Sequence, residues 1–410
     1  MQFNLKTRQV PLLLVVFLPF AGGFFLSILF RNVNAVIAKD LAQDFALSAA
    51  ELGLLTGAYF LLFAAFQIPL GVLLDRFGPR RVIAALMCVA GLGALLFGLA
   101  DGVATLALGR ALLGLGVSGC LMGSIKAFTL WFPMSRLATL NGWILAIGAL
   151  GAMSATAPVE MIAAAHGWRA IFFGLAAACI AVAALIFLIV PEKALPGAGE
   201  SWARQFAEIG TILCSPFFWR VALPVVAVHG AYQALQGLWL APWLADVGGL
   251  ERSAVANTLL IGALAYGIGS VAFGTLADRL AGAGISRLTV YKAGTALTLV
   301  VFFAFAAGLR SGLVLIVAAY GFGACSGALA YAILSQHFPA RVAGRVNTAT
   351  NIFMFIASLG FQIGIGAVLR LWPAVDGRYP AEGYTVALGI AGVFQLAALV
   401  YLMMPARQRS

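Results

Sequence analysis

Apolar residues run in long blocks along almost the whole chain, separated by short polar breaks. Many blocks are near the roughly 20 residues that a helix needs to cross about 30 Å of hydrocarbon. They predict twelve membrane-spanning helices, at 11–37, 51–74, 82–100, 103–131, 137–160, 168–190, 219–244, 253–277, 288–309, 311–336, 345–371 and 383–404. Glycine and proline fall within several blocks, but in membrane helices they do not by themselves end a span. The first block is too long for a cleaved leader and is expected to stay as a span. One long polar interruption, 191–218, divides the predicted spans six and six. The expected fold is therefore an all-α membrane protein of twelve transmembrane helices in two pseudo-symmetric six-helix bundles, 1–190 and 219–410, joined by a cytoplasmic linker. In that linker Trp202, Phe206, Ile209 and Leu213 recur at helical spacing opposite Glu200, Arg204 and Glu208, which predicts a short interfacial helix.

Composition agrees with lipid as the solvent: 63% of the 410 residues are apolar and 10% are charged, against roughly a quarter charged in a soluble domain. The formal charge of +11 would suggest nucleic acid in a soluble protein, but in a membrane protein the placement of the basic residues decides. With both termini inside, the predicted outer loops keep only Lys39, Arg169, Arg252, Arg310, Arg370 and Arg378, and the remaining loop arginines and lysines lie inside. That asymmetry fixes a cytoplasmic orientation for both ends in an inner membrane, with no nucleic-acid partner expected. The five cysteines, Cys88, Cys120, Cys179, Cys214 and Cys325, form no CxxC pair and predict neither disulfides nor a metal site.

The two predicted halves repeat each other. Gly71, Asp75, Arg76, Gly78, Arg80 and Arg81 follow the second span in a Gly-x-x-x-Asp-Arg-x-Gly-x-Arg-Arg order, and Gly274, Asp278 and Arg279 follow the eighth. The fourth span ends in Trp131-Phe132-Pro133 followed by Arg136, and the tenth in His337-Phe338-Pro339 followed by Arg341. Matched landmarks at matched offsets argue for duplication. The loop after the second span resembles the signature of the major facilitator superfamily, and the resemblance covers the full twelve-helix layout. Acid and base in a short cytoplasmic turn suit pairing across the two halves, because an exposed pair is worth only about 1 kcal/mol and can switch both ways. Gly71, Asp75, Arg76, Gly78, Arg80, Arg81, Arg136, Asp278 and Arg279 are accordingly the candidate gating residues. A static topology anchor is the alternative for Asp75 and Arg76, and equally for Arg80 and Arg81.

An ionisable group at mid-membrane costs about 2.5–3.5 kcal/mol on insertion scales, so each one calls for a reason. Arg31, Arg110, Lys126 and His229 fall within predicted spans, and no acid lies clearly at mid-depth. An excess of fixed cations favours an anionic substrate, which supplies the missing counter-charge, and the planar fork of arginine fits a carboxylate. Ser27, Arg31 and Asn34 share one helix face, and His229, Gln233 and Gln236 share another, continued by Trp239 and Trp243 as cavity wall or interface markers. Against this stand blander roles: snorkelling for Arg31 and Lys126, backbone capping for Arg110, packing for His229, and helix-to-helix hydrogen bonding for Asn351 and Gln362.

Within the superfamily the first half looks like the anion:cation symporters and related organic-anion carriers. The shared layout is Arg31, then Asp44-Phe45-Ala46-Leu47-Ser48, Gly57-Ala58-Tyr59-Phe60, Gln67-Ile68-Pro69-Leu70-Gly71, and Gly109-Arg110 with Gly114 and Gly116. The resemblance implies that Arg31 and Arg110 hold a substrate carboxylate, places a basic residue at Lys126, and adds Tyr59 to the substrate-binding set. The symporters usually carry an acid directly before the first arginine and another seven residues after the second, where this chain has Phe30 and Val117. Those acids serve proton coupling in the family, so the driving ion stays open, with protons carried by His229 as one candidate. The expectation is a monomeric secondary transporter taking up a small organic anion by alternating access. A proton-driven exporter of drugs or acidic metabolites and a non-transporting membrane sensor are the alternatives. No Walker loop, dinucleotide fingerprint, zinc spacing or nucleophile elbow is present, so neither an enzyme nor a cofactor is expected. The glycines of Gly114, Gly116 and Gly119 are expected to be a close-packing seam.

Overall fold

The computed structural model of the chain describes residues 12–193, 210–339, 342–374 and 378–404. The predicted interfacial helix, with Trp202, Phe206 and Ile209, lies outside the described residues. The first part folds into α1 (Leu18–Asp44, entered through a π turn at Leu13–Phe17), α2 (Ala49–Ala65), α3 (Gln67–Gly98), α4 (Val103–Val117), α5 (Cys120–Trp131), α6 (Met134–Ser154), α7 (Ala157–His166) and α8 (Trp168–Ile189). The second comprises α9 (Pro216–Ala234), α10 (Leu240–Asp246), α11 (Arg252–Gly282), α12 (Arg287–Ala306), α13 (Leu313–Ala324), α14 (Ala328–His337), α15 (Ala343–Leu369) and α16 (Ala381–Met403). Among the described residues ten helical stretches are long and apolar enough to cross a membrane, and α2 is a shorter apolar helix.

Where the helices differ from the predicted spans, proline is usually the cause. A proline nitrogen cannot bond the carbonyl four residues earlier, and its ring crowds that carbonyl. Pro69 therefore coincides with the end of α2 at Ala65, and Pro158 with the end of α6 at Ser154. Pro242 lies four residues after Leu238, inside the π turn Leu235–Trp239 that separates α9 from α10. Gly78 makes a different kind of break. At φ 78° and ψ 157° it takes a backbone conformation almost reserved for glycine, and it interrupts α3 immediately before Pro79. The predicted second and third spans are thus joined by a single-residue kink instead of a loop.

Large apolar side chains cover much of the outside: Leu188 is 75% exposed and Leu315 74%. For a water-soluble protein that surface would aggregate, whereas in lipid it is solvated. Inside, one large apolar cluster joins residues from both parts of the chain, from Val16 to Ala391, and a smaller one lies wholly within the second part, from Ile212 to Leu402. The two parts approach closely along α2 and α15. A Cβ on Gly53 would sit 2.5 Å from the Gln362 carbonyl oxygen, so this contact requires glycine.

One end of that contact is tied by charge. Arg252 of α11 donates through both terminal nitrogens to Asp40 of α1 at 2.7 Å, and through Nε to Glu160 of α7 at 2.7 Å. Beside it Lys39 lies 3.8 Å from Asp246, whose other oxygen accepts from the Tyr384 hydroxyl at 2.9 Å. The Tyr379 hydroxyl accepts from the Ala49 amide at 2.9 Å. A small cavity lined by Ala35, Lys39, Glu160, Pro242 and Arg252 lies against this latch. A bidentate arginine–carboxylate pair is directional enough to hold one register, and partial exposure keeps it breakable. In a cysteine-depleted background, Arg252→Gln is expected to raise several-fold the labelling rate of a cysteine at position 35 by a membrane-impermeant thiol reagent. An unchanged rate would mean that the latch does not hold this end shut.

Candidate substrate site

Arg110 reaches the centre because α4 can press directly onto α2. A Cβ on Gly114 would meet the Tyr59 carbonyl oxygen at 2.0 Å, and one on Gly116 would meet the Ala90 nitrogen at 2.3 Å, so the expected glycine seam is present. One turn along α4, Arg110 has no solvent exposure. Its Nη1 donates to the Phe30 carbonyl at 3.1 Å, and its guanidinium lies over the Tyr59 ring at 5.0 Å. Its Nε and Nη2 have no hydrogen-bond partner, and no carboxylate pairs with it among the described residues.

Arg31 comes from α1, next in sequence to the carbonyl that Arg110 uses. It is half-buried, and its guanidinium lies between two aromatic rings, Phe63 of α2 at 5.2 Å and Phe355 of α15 at 5.1 Å. Those rings are 4.3 Å apart between centroids. The arginine therefore sits where the two parts of the chain meet, and its Nε has no partner. Cation–π contacts of this kind are worth about 0.5–2 kcal/mol, which orients a guanidinium without neutralising it.

The facing wall belongs to the second part. His229 lies 5.7 Å from the Tyr232 ring and 6.2 Å from Tyr266, and those two tyrosines stack at 5.2 Å. The Tyr331 hydroxyl donates to Asn351 Oδ1 at 2.6 Å, which is the helix-joining role expected of Asn351. Gln362 behaves differently from that expectation: it is fully buried and neither atom of its amide has a partner.

Other predicted site residues are placed in three ways. Tyr59 and Ser27 support the arginines: the Tyr59 hydroxyl donates to the Ser27 carbonyl at 3.3 Å, and the Ser27 hydroxyl donates to the Val117 carbonyl at 3.3 Å. Asn34 donates to Thr56 at 3.1 Å and so ties α1 to α2. Gln233 and Gln236 are buried; His229 and Gln233 keep straight-helix spacing within α9, whereas Gln236 falls inside the π turn that begins at Leu235. Gln236 instead faces Gly262 of α11. Trp239 and Trp243 mark no interface, since both are fully buried: Trp239 donates to the Gln362 carbonyl at 3.1 Å, and Trp243 packs on Phe305 at 5.1 Å.

Lys126 is not brought to the arginines. It pairs with Asp75 at 2.7 Å, so a predicted substrate ligand and a predicted gating acid meet each other. This pair is local to the first part of the chain and does not cross between the parts. Arg80 lies 3.6 Å from Glu192 and donates through Nε to the Phe187 carbonyl at 2.9 Å, and Arg81 also pairs with Glu192. These two arginines anchor the Gly78 kink to the end of α8. Arg279 is exposed at the end of α11. Sequence reasoning missed Phe63, Phe355, Tyr266 and Tyr331, because an aromatic side chain within an apolar span reads as packing until a charge is seen beside it.

A profile of the Major Facilitator Superfamily matches residues 20–362. The chain belongs to that superfamily. It is 27% identical over 294 residues to the "probable sulfoacetate transporter SauU" of Cupriavidus necator, covering 68% of this chain and 67% of that protein. Over 120 residues it is 34% identical to the nitrate/nitrite transporter NrtP of a Picosynechococcus species, 29% of this chain and 22% of that protein. Among solved structures, a bacterial homologue of the human lysosomal transporter Spinster, inward-facing and occupied, superposes with a TM-score of 0.79 at 20% identity, covering 96% of this chain and 97% of that one. The D-xylose–proton symporter gives 0.73 at 17% identity, covering 95% and 97%. The major facilitator fold is thus shared, and the chain is a multi-pass membrane transporter and not an enzyme.

For this member of the superfamily, the unpaired state of Arg110 has a consequence for stability. A buried charge with no counter-charge is destabilising by several kcal/mol, whereas an arginine recruited to cap backbone is stabilising. Arg110→Met is expected to raise the melting temperature of the substrate-free protein, corresponding to about 1–4 kcal/mol. A lower melting temperature would mark Arg110 as a structural cap for Phe30.

Proposed function

We propose that the protein is a secondary active transporter that takes up a small organic anion of the carboxylate type across the inner membrane. The observation that carries this reading is the pair of arginines, Arg31 and Arg110, with three guanidinium nitrogens buried and without partners and no acid paired with them among the described residues. An anion reached by both guanidinium groups would satisfy these donors, and charge-assisted bonds of this kind are about twice as strong as neutral ones. The printed functions of the two relatives, sulfoacetate and nitrate/nitrite transport, are also those of anion carriers.

In this reading the chain makes twelve spans, with α2 and the start of α3 forming one and α9, the π turn and α10 forming another. They group as two bundles of six, 1–190 and 219–410, on either side of the linker 191–218. The basic loops place both termini in the cytoplasm. The latch of Arg252, Asp40 and Glu160 then closes the outer end, and the arginines face inward. Alternating access proceeds by rocking of the bundles about Arg31, whose aromatic partners come from both. The kink at Gly78, with Asp75 and its lysine partner, biases the inner end. Protons are the coupling ion, and His229, the titratable side chain on the wall facing Arg31, carries them. Both walls of the site come from one chain, so a monomer suffices.

The test is a thermal-shift screen of purified protein against anionic and cationic metabolite panels, repeated with Arg31→Gln. A ligand present at 100 times its Kd stabilises by about 2.7 kcal/mol. Stabilisation by one group of carboxylates or sulfonates, lost in the variant, is expected. Stabilisation by cationic or neutral amphipaths alone, indifferent to Arg31, would instead indicate an exporter.

A further inference from the structure

At the end of the molecule opposite the Arg252 latch lies a cavity of about 300 Å³, lined on one side by the kink (Arg76, Pro79, Arg80, Arg81) and on the other by Trp131, Glu192 and Lys193. Four basic side chains line it against the single carboxylate Glu192. Glu192 is shared by Arg80 and Arg81, and Lys193 lies over the Trp131 ring at 5.1 Å while donating to the Leu130 carbonyl. The cavity therefore keeps an excess of positive charge that its own acid does not cancel.

Its surroundings say what kind of anion fits. Phe77 (45% exposed) lines the cavity, and Phe187 (50%), Leu188 (75%) and Ile189 (45%) lead along α8 to its lining residue Val190 and offer apolar surface to the hydrocarbon. Arg80 bridges the two environments, with its guanidinium 5.1 Å from the Phe187 ring centroid. A tryptophan on the wall suits the depth of the headgroups. A ligand matching this arrangement has an anionic head and apolar tails. Basic pockets between membrane helices on the cytoplasmic side are general sites for anionic lipid heads.

We propose that this cavity holds the phosphodiester head of an anionic phospholipid of the inner leaflet, with its tails along the exposed end of α8. The bound head bridges the kink of α3 to the end of α8 and so steadies the turn of α3 that carries Asp75. The assignment to the inner leaflet rests on the orientation proposed above. Binding in micelles does not depend on orientation, and thiol labelling of the two ends tests orientation separately.

The experiment is a thermal-shift titration of the full-length protein in neutral detergent with phosphatidylglycerol, phosphatidylcholine or inorganic phosphate. Phosphatidylglycerol is expected to stabilise, while phosphatidylcholine and phosphate do not. In the double variant Arg81→Gln/Lys193→Gln the apparent affinity for phosphatidylglycerol is expected to fall roughly thirtyfold, at one interfacial charge per substitution. Glu192→Gln, which removes the only acid lining the cavity, is expected to bind phosphatidylglycerol more tightly, and it decides the matter if the double variant does not fold. Equal stabilisation by phosphatidylcholine would overturn the proposal, as would unchanged affinity in the double variant or no tightening with Glu192→Gln. Equal stabilisation by free phosphate would replace the lipid with a soluble anion.

Discussion

A guanidinium deep among helices, with two nitrogens unbonded and no carboxylate paired with it among the described residues, is an arrangement that water would satisfy at a surface and that lipid cannot. Arg110 is held in this state by its neighbours. Gly114 lets α4 contact the backbone at Tyr59, Tyr59 lies under the charge, and the single bond to Phe30 sets its direction. Arg31 repeats the arrangement in a more open setting, with aromatic rings in place of acids. Both guanidinium groups are oriented by aromatic rings and not neutralised by a carboxylate among the described residues, and on this the proposed anion site rests.

The same economy of acids appears elsewhere with the opposite result. At the latched end, Asp40, Glu160 and Asp246 all face a basic partner from another part of the chain, and the parts are drawn together there. At the other end, Asp75 and Glu192 pair with neighbours in their own part. Charges thus join the two parts at the latched end, while Asp75 and Glu192 tie elements of the first part to each other at the other end. Close glycine packing between α2 and α15 continues the joined end down to the aromatic pair around Arg31.

Much of the fold was legible in the chain because membrane helices announce themselves by length and apolarity, and because the Asp75–Arg76 and Asp278–Arg279 landmarks repeat. The two arginines were legible for the same reason: charge is conspicuous in an apolar span. Their partners were harder to foresee. Phe355 lies far from Arg31 in sequence, and nothing in an apolar run separates a ring that packs from a ring that faces a cation. Gln236 falls inside a π turn, which alters its straight-helix spacing to His229, and the sequence shows only the proline that accompanies the turn. The pairing of Lys126 with Asp75 was missed because each was assigned a role by its own span, although the end of α5 lies beside the end of the second predicted span.

The most direct test of the central claim is a cryo-electron microscopy structure of the protein saturated with whichever anion stabilises it. The account predicts density for that anion with oxygens about 2.7–2.9 Å from nitrogens of both Arg31 and Arg110. An anion bound elsewhere, with Arg110 still bonded to Phe30 alone, would contradict it.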